Sequence, residues 1–112
     1  MAEELSNSKF NEFTKKGIVL IDFYADWCMP CVMMGPIIDE MTKKFKGKIK
    51  IGKVNVGENG PKGVSSGEEI AKEFNVSSIP NFILFKDGKE IERFVGSISE
   101  EELENKLKKY LK

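Results

Sequence analysis

The chain has 112 residues, enough for one domain over residues 1–112, and its 40% apolar and 32% charged residues are an ordinary globular composition. Lys plus Arg and Asp plus Glu number 18 each, so the formal net charge is zero, with no basic excess for nucleic acid and no one-signed tail. No stretch reads as a membrane span and no hydrophobic leader follows the acidic Met1-Ala2-Glu3-Glu4, so a cytoplasmic, reducing compartment is expected.

Residues 1–17 hold a weak first element. Ser6 or Ser8 is placed to cap a short helix with Phe10 and Phe13 on one face, and Lys15, Lys16 and Gly17 suit its end. The pattern gives little support to a strand before it at Glu3–Leu5. Ile18–Ala25 is β-branched and apolar on both faces, as in a central strand of a parallel sheet, and Asp22 is its one charge. A helical pattern follows over roughly 30–45. Met33, Met34, Ile37, Ile38, Met41 and Phe45 recur on its packing face, and Pro36 predicts a kink. Ile49–Val56 is a second strand, so the helix between them makes a parallel, right-handed crossover. Residues 57–67 carry four glycines and a proline and read as a loop. Glu68–Phe74 is a short helix. Asn81–Phe85 and Glu90–Val95 flank Asp87-Gly88, a hairpin signal. Ser99 and Glu102 form a capping box for a last helix whose apolar residues are Leu103, Leu107, Tyr110 and Leu111. A βαβ half followed by a ββα half predicts an α/β fold, with a mixed central sheet flanked by helices.

The chemistry-bearing residues are Cys28 and Cys31, the only two cysteines. They fall on a strand-to-helix turn, where the free N–H groups and the dipole of a helix start favour a thiolate. A Cys-x-x-Cys pair in such a place reads as a redox-active dithiol. As a structural staple it closes so short a loop that it contributes at most about 2 kcal/mol. A closed zinc site wants four Cys or His ligands, and the chain has two cysteines and no histidine. Only a dimer sharing its thiolates, or a bridging iron–sulfur cluster, would supply a metal centre. The reading therefore takes no metal and no cofactor.

Asp22-Phe23-Tyr24-Ala25-Asp26-Trp27-Cys28-Met29-Pro30-Cys31 resembles the strand and Trp-Cys-Gly-Pro-Cys active site of the thioredoxin family. Pro36 matches that family's kink proline and Lys53 its strand lysine. Ile79-Pro80 matches its cis-proline pair, and Val95-Gly96 the valine-glycine after its last strand. The resemblance covers nearly the whole chain. It implies the thioredoxin-like fold and protein-disulfide reduction, in which the Cys28 thiolate attacks a substrate disulfide and Cys31 releases the product. It also implies a cis bond before Pro80 and a partly exposed Trp27. Trp27, Met29, Ile79 and Pro80 would form an apolar shelf for substrate, with Pro30 and Gly96 beside it. The implied partners are disulfide-containing proteins and a thioredoxin reductase as electron donor; the chain would act as a monomer, away from nucleic acid and membrane. Four departures stand out: Met29 for glycine, Val32 for a common lysine, Asn81 for threonine, and a longer loop at 57–67.

A carboxylate inside an apolar strand needs a reason. Asp22 pairs with Lys53, or accepts the proton of Cys31, or does both. Desolvation should raise its pKa and Lys53 should oppose that. Desolvation is expected to win, because Lys53 can snorkel toward water from the face it shares with Ile49 and Ile51. Lys53 is itself a candidate catalytic residue. Cys28 is expected to be the more exposed thiol, and Cys31 the buried one. Tyr24 is placed in the core, Met33 and Met34 in helix packing, and Met29 at the surface. The rivals are a glutathione-dependent, glutaredoxin-like enzyme and a non-catalytic binding module. The Trp-Cys-x-Pro-Cys form with Asp22 argues against the first, and the intact dithiol against the second.

Overall fold

The computed structural model describes residues 2–57 and 66–111. The elements are β1 (Glu3–Glu4), α1 (Asn7–Thr14), β2 (Ile18–Tyr24), α2 (Met29–Lys44), β3 (Ile49–Asn55), α3 (Ser66–Glu73), β4 (Asn81–Lys86), β5 (Lys89–Val95) and α4 (Glu100–Lys108). A single 3₁₀ turn, Lys109–Leu111, follows. A strand apolar on both faces must be covered twice, and β2 accordingly lies in the middle of a five-stranded sheet ordered β1-β3-β2-β4-β5. β1, β3 and β2 run parallel; β4 and β5 run antiparallel to their neighbours. This is the expected mixed α/β sheet.

Each face of the sheet has its own core. Leu20, Ile49, Ile51, Phe82 and Leu84 pack beneath Met34, Ile38 and Met41 of α2 and Leu103 and Leu107 of α4. Val19, Ile21, Phe23, Val54, Ile83 and Phe85 pack beneath Phe10 of α1 and Ile70 of α3. On that second side Phe10 meets Phe74 and Phe85 with ring centroids 5.4 and 5.8 Å apart. The hairpin turn is tight, with Asp87 and Gly88 both at positive φ, 50° and 87°. The Asp87 carboxylate accepts from the Gly17 N–H at 2.8 Å, tying the hairpin to the entry of β2.

Three expectations change. β1 exists, although the pattern gave it little support. Leu5 donates its N–H to the Lys53 carbonyl at 2.8 Å and is buried. Gly52 on β3 makes the room: a Cβ there would lie 2.6 Å from Leu5 Cδ1 and 2.9 Å from the Phe13 ring. Ser6 stands at the N-cap of α1 but its side chain caps nothing, its Oγ lying 3.1 Å from that of Ser8. α3 begins at Ser66, two residues before the expected start. Most of the expected 57–67 loop, residues 58–65, lies outside the described residues. α2 runs unbroken through Pro36. Ser99 caps α4 as expected, its Oγ accepting from the Glu102 N–H at 3.1 Å.

Candidate active site

β2 delivers the chain into the sheet's carboxyl edge at Ala25, which is buried. The backbone then turns, Cys28 N–H donating to the Ala25 carbonyl at 3.2 Å. Cys28 is the N-cap of α2. Its Sγ accepts from the Cys31 N–H at 3.3 Å, and its carbonyl accepts from Val32 N–H at 3.0 Å to start the helix. The sulfur stands where a serine or aspartate oxygen usually caps a helix, facing the third helical N–H at the positive end of the dipole. Pro30 in the first turn lacks an N–H that would have been unpaired there anyway. Cys28 and Cys31 are disulfide-bonded, with Cα atoms 5.2 Å apart.

The pair is not divided into an exposed and a buried sulfur as expected. In the disulfide Cys28 is 7% and Cys31 5% exposed, because both pack on Ala25 with Ile79 and Tyr24 against them. The exposed surface is the rim. Trp27 is 70% exposed, Met29 65% and Met33 70%, and Val32 and Val95 are exposed beside them. Met33 thus corrects the packing assignment made for it, since only Met34 of the two turns into the core. Of the expected shelf, Trp27 and Met29 are exposed, while the other two residues lie deeper. The Ile79–Pro80 bond is cis, but Pro80 is buried and Ile79 half-buried against the sulfurs. Gly96 N–H donates to the Pro80 carbonyl at 2.8 Å, which holds the end of β5 to this loop.

The turn carrying Trp27 is fixed from β3. Asn55 Nδ2 donates to Asp26 at 3.3 Å, and Asn55 Oδ1 accepts from the Gly57 N–H at 3.0 Å. A Cβ on Gly57 would come within 2.5 Å of the Trp27 indole nitrogen, so only glycine lets the indole edge rest there.

Asp22 is 2% exposed, on the α2-covered face of β2, and its Oδ1 has no hydrogen-bond partner among the described residues. It lies opposite Lys53 on β3 and Phe82 on β4. Burial pushes its carboxyl from the ordinary 3.8 up to about 7, against the pull of Lys53 and with a small push from Glu4. Lys53, half-buried as expected, forms no ion pair with it. Its Nζ lies 4.4 Å from the centre of the Tyr24 ring. Tyr24 is not in the core as expected. It is half-buried and its hydroxyl donates to both carboxylate oxygens of Glu4 at 2.8 Å. Burial, with Glu4 accepting its proton, holds that hydroxyl well above the usual phenol range.

Comparison with known proteins decides the family. Residues 1–109 match the family described as thioredoxin. A thioredoxin of Chlamydia pneumoniae is 39% identical over 110 residues, covering 98% of this chain and 99% of that one. A thioredoxin of Staphylococcus haemolyticus is 37% identical over 108 residues, 96% of each chain. The chain belongs to the thioredoxin family.

It is therefore a thiol–disulfide oxidoreductase that reduces protein disulfides through its Cys-x-x-Cys centre, with disulfide substrates and a reductase as its general partners. Two departures from the thioredoxin pattern, Met29 and Val32, both add exposed apolar surface to the rim. The third, Asn81, is buried on the opposite sheet face from Asp22, beside Phe23, with its Oδ1 unpartnered among the described residues. Among the described residues no helix is long and apolar enough to cross a membrane. Sequence reasoning gave no part to Glu4, Asn55 and Gly57, which meet Tyr24, Asp26 and Trp27 through contacts between strands or their ends. The Asn55–Gly57 spacing, an Asx turn, was the one local signal.

Proposed function

We propose that Cys28 is the attacking thiol and Cys31 the resolving one. In the reduced chain the Cys28 thiolate attacks one sulfur of a substrate disulfide. A Cys28–substrate mixed disulfide forms and the other substrate sulfur leaves as a thiolate, which takes a proton. Cys31 passes its proton to the Asp22 carboxylate and attacks Cys28 Sγ. The Cys28–Cys31 disulfide forms, the second substrate thiolate leaves and is protonated, and two electrons have moved to the substrate. A reductase then returns the dithiol. The observation that carries this assignment is the N-cap: Cys28 Sγ, not that of Cys31, accepts a backbone N–H at the helix start.

Asp22 is the proton acceptor in this reading, supported by its burial, its orphaned oxygen and its raised pKa. Lys53 moderates it electrostatically. Trp27, Met29 and Pro30 on the rim, with Ile79, Pro80 and Gly96 behind it, receive the substrate backbone, joined by Val32, Met33 and Val95. The methionines suit this task because they are apolar and adaptable, so one surface accommodates many partners. The chain acts as one monomeric domain in a reducing cytoplasm. Two cores built on one continuous sheet support the single domain.

Trapping tests the assignment. Cys31→Ser should stall at the mixed disulfide and retain covalently bound substrate proteins that dithiothreitol releases. Cys28→Ser should retain none. Substrates held by Cys28→Ser through Cys31 would reverse the roles.

A further inference from the structure

Lys53 poses a problem of placement. Its Cα is in register with Asp22 on one side and with Glu4 on the other, so it lies between two carboxylate-bearing strands. A lysine beside a buried carboxylate that lacks a partner should close on it. It does not: the ammonium sits on the face of Tyr24 instead, 4.4 Å from the ring centre. Tyr24 is two residues beyond Asp22 on the same face of β2, yet its hydroxyl reaches Glu4 on β1. The phenol therefore crosses β3 directly above Lys53. The two-oxygen bond to Glu4 pins its far end and enriches the ring for a cation.

We propose that Glu4 and Tyr24 are positioning residues for the resolving step: their hydrogen bond parks the Lys53 ammonium on the Tyr24 ring and leaves the Asp22 carboxylate unpaired, free to take and return the Cys31 proton. The proposal rests on Asp22 as the proton acceptor. Among the described residues the groups facing Asp22 are few. β3 presents Lys53, β1 presents Glu4, and β2 itself adds Tyr24. β4 presents Phe82, and α2 places Met34 and Ile38 over the same sheet face, with Cys28 and Cys31 at its start. Lys53 is the one cation in this set, so where it rests determines how tightly Asp22 holds a proton. Freed from the ring, the ammonium would approach Asp22, stabilise the ionised carboxylate and weaken it as a base. β1 thus takes part in the chemistry although it is only two residues long and at the sheet's edge.

The test is the Asp22 titration midpoint in the intact oxidised chain, followed by carboxyl-carbon NMR, together with the pH profile of the resolving step in single turnover. Tyr24→Phe keeps the ring and the Glu4 charge and removes only the clamp. It should lower the midpoint by about one pH unit, the lower end of what a cation within about 4–6 Å does to a carboxylate. Glu4→Gln should lower it at least as far, and the double variant no further than Glu4→Gln. The kinetic profile should move with the midpoint. An unmoved or raised midpoint in Tyr24→Phe overturns the clamp, and so does a double variant whose shift is the sum of the two singles. Asp22→Asn separates the underlying reading. A resolving rate unchanged in that variant removes Asp22 as proton acceptor, while the Tyr24→Phe midpoint still decides where Lys53 rests.

Discussion

Asp22→Asn should make the chain more stable, increasingly so as pH rises. The side chain is 2% exposed, and its carboxyl is shifted from 3.8 up to about 7. The folded state therefore holds this proton more tightly than the unfolded state. Below the unfolded value both states are protonated and the residue costs nothing extra. As pH rises from about 4 to about 7 the unfolded chain ionises first, and folding stability falls; above about 7 the deficit is constant. A shift of roughly three pH units corresponds to about 4 kcal/mol at full extent. Asparagine has nearly the same shape and does not ionise, so it removes the deficit. Guanidinium melts of both oxidised proteins at pH 4, 6 and 8, with equal m-values, should show their difference changing in the variant's favour by about 4 kcal/mol between pH 4 and pH 8. The offset at pH 4 reports amide against acid packing; the change with pH reports ionisation. A difference independent of pH would mean that folding leaves the Asp22 pKa unshifted, and one that turns against the variant as pH rises would mean that Asp22 is ionised and paired with Lys53 in the folded chain. The same variant should slow the resolving step about 100-fold, as loss of a general base does.

In the reduced protein, iodoacetamide at pH 7 should label Cys28 at least about ten times faster than Cys31, read by peptide mass; equal rates would show that the N-cap does not activate one sulfur. Leu5→Ala should cost about 2–3 kcal/mol in a denaturant melt, since it empties the contact against Gly52 and Phe13. A loss below about 0.5 kcal/mol would mean that β1 is not held by this side chain. Gly57→Ala should displace the exposed indole rather than unfold the chain. The emission of Trp27, the single tryptophan, should shift, and kcat/KM for a protein disulfide should fall about tenfold while a small disulfide reagent is little affected. Unchanged emission would show that Gly57 does not seat the indole.

What was legible in the chain was what is local. β2 announces itself by an eight-residue run apolar on both sides but for Asp22, and the hairpin by Asp87-Gly88 between apolar runs, since each signal lies within one short window. The cysteine pair needs only its spacing and the helix behind it. β1 escaped because two residues carry no periodicity, and its reason for existing is a glycine some fifty positions away on β3. Met33 was misplaced for a different reason. On a helix one residue is about 100° of rotation, so adjacent methionines do not share a face, and only the tertiary contacts say which turns inward. Asp22 was readable as an anomaly. Where Lys53 went was not, because that depends on a tyrosine crossing one strand to reach another.

The capping role of Cys28 also has a consequence for α2. Stabilisation between a helix start and a negative charge is mutual: what the helix lends the thiolate, the thiolate returns to the helix. In the proposed cycle, with Cys28 as the attacking thiolate, each turnover exchanges one cap for another on the same N–H of Cys31, from the disulfide sulfur seen here to thiolate to mixed disulfide. An anion at that end is worth about 0.3–1 kcal/mol more than a neutral group. On that cycle α2 would be firmest when the enzyme is armed and would loosen as the charge is spent. The helix that carries Met33 and Val32 into the rim registers, through its own first turn, whether there are electrons left to give.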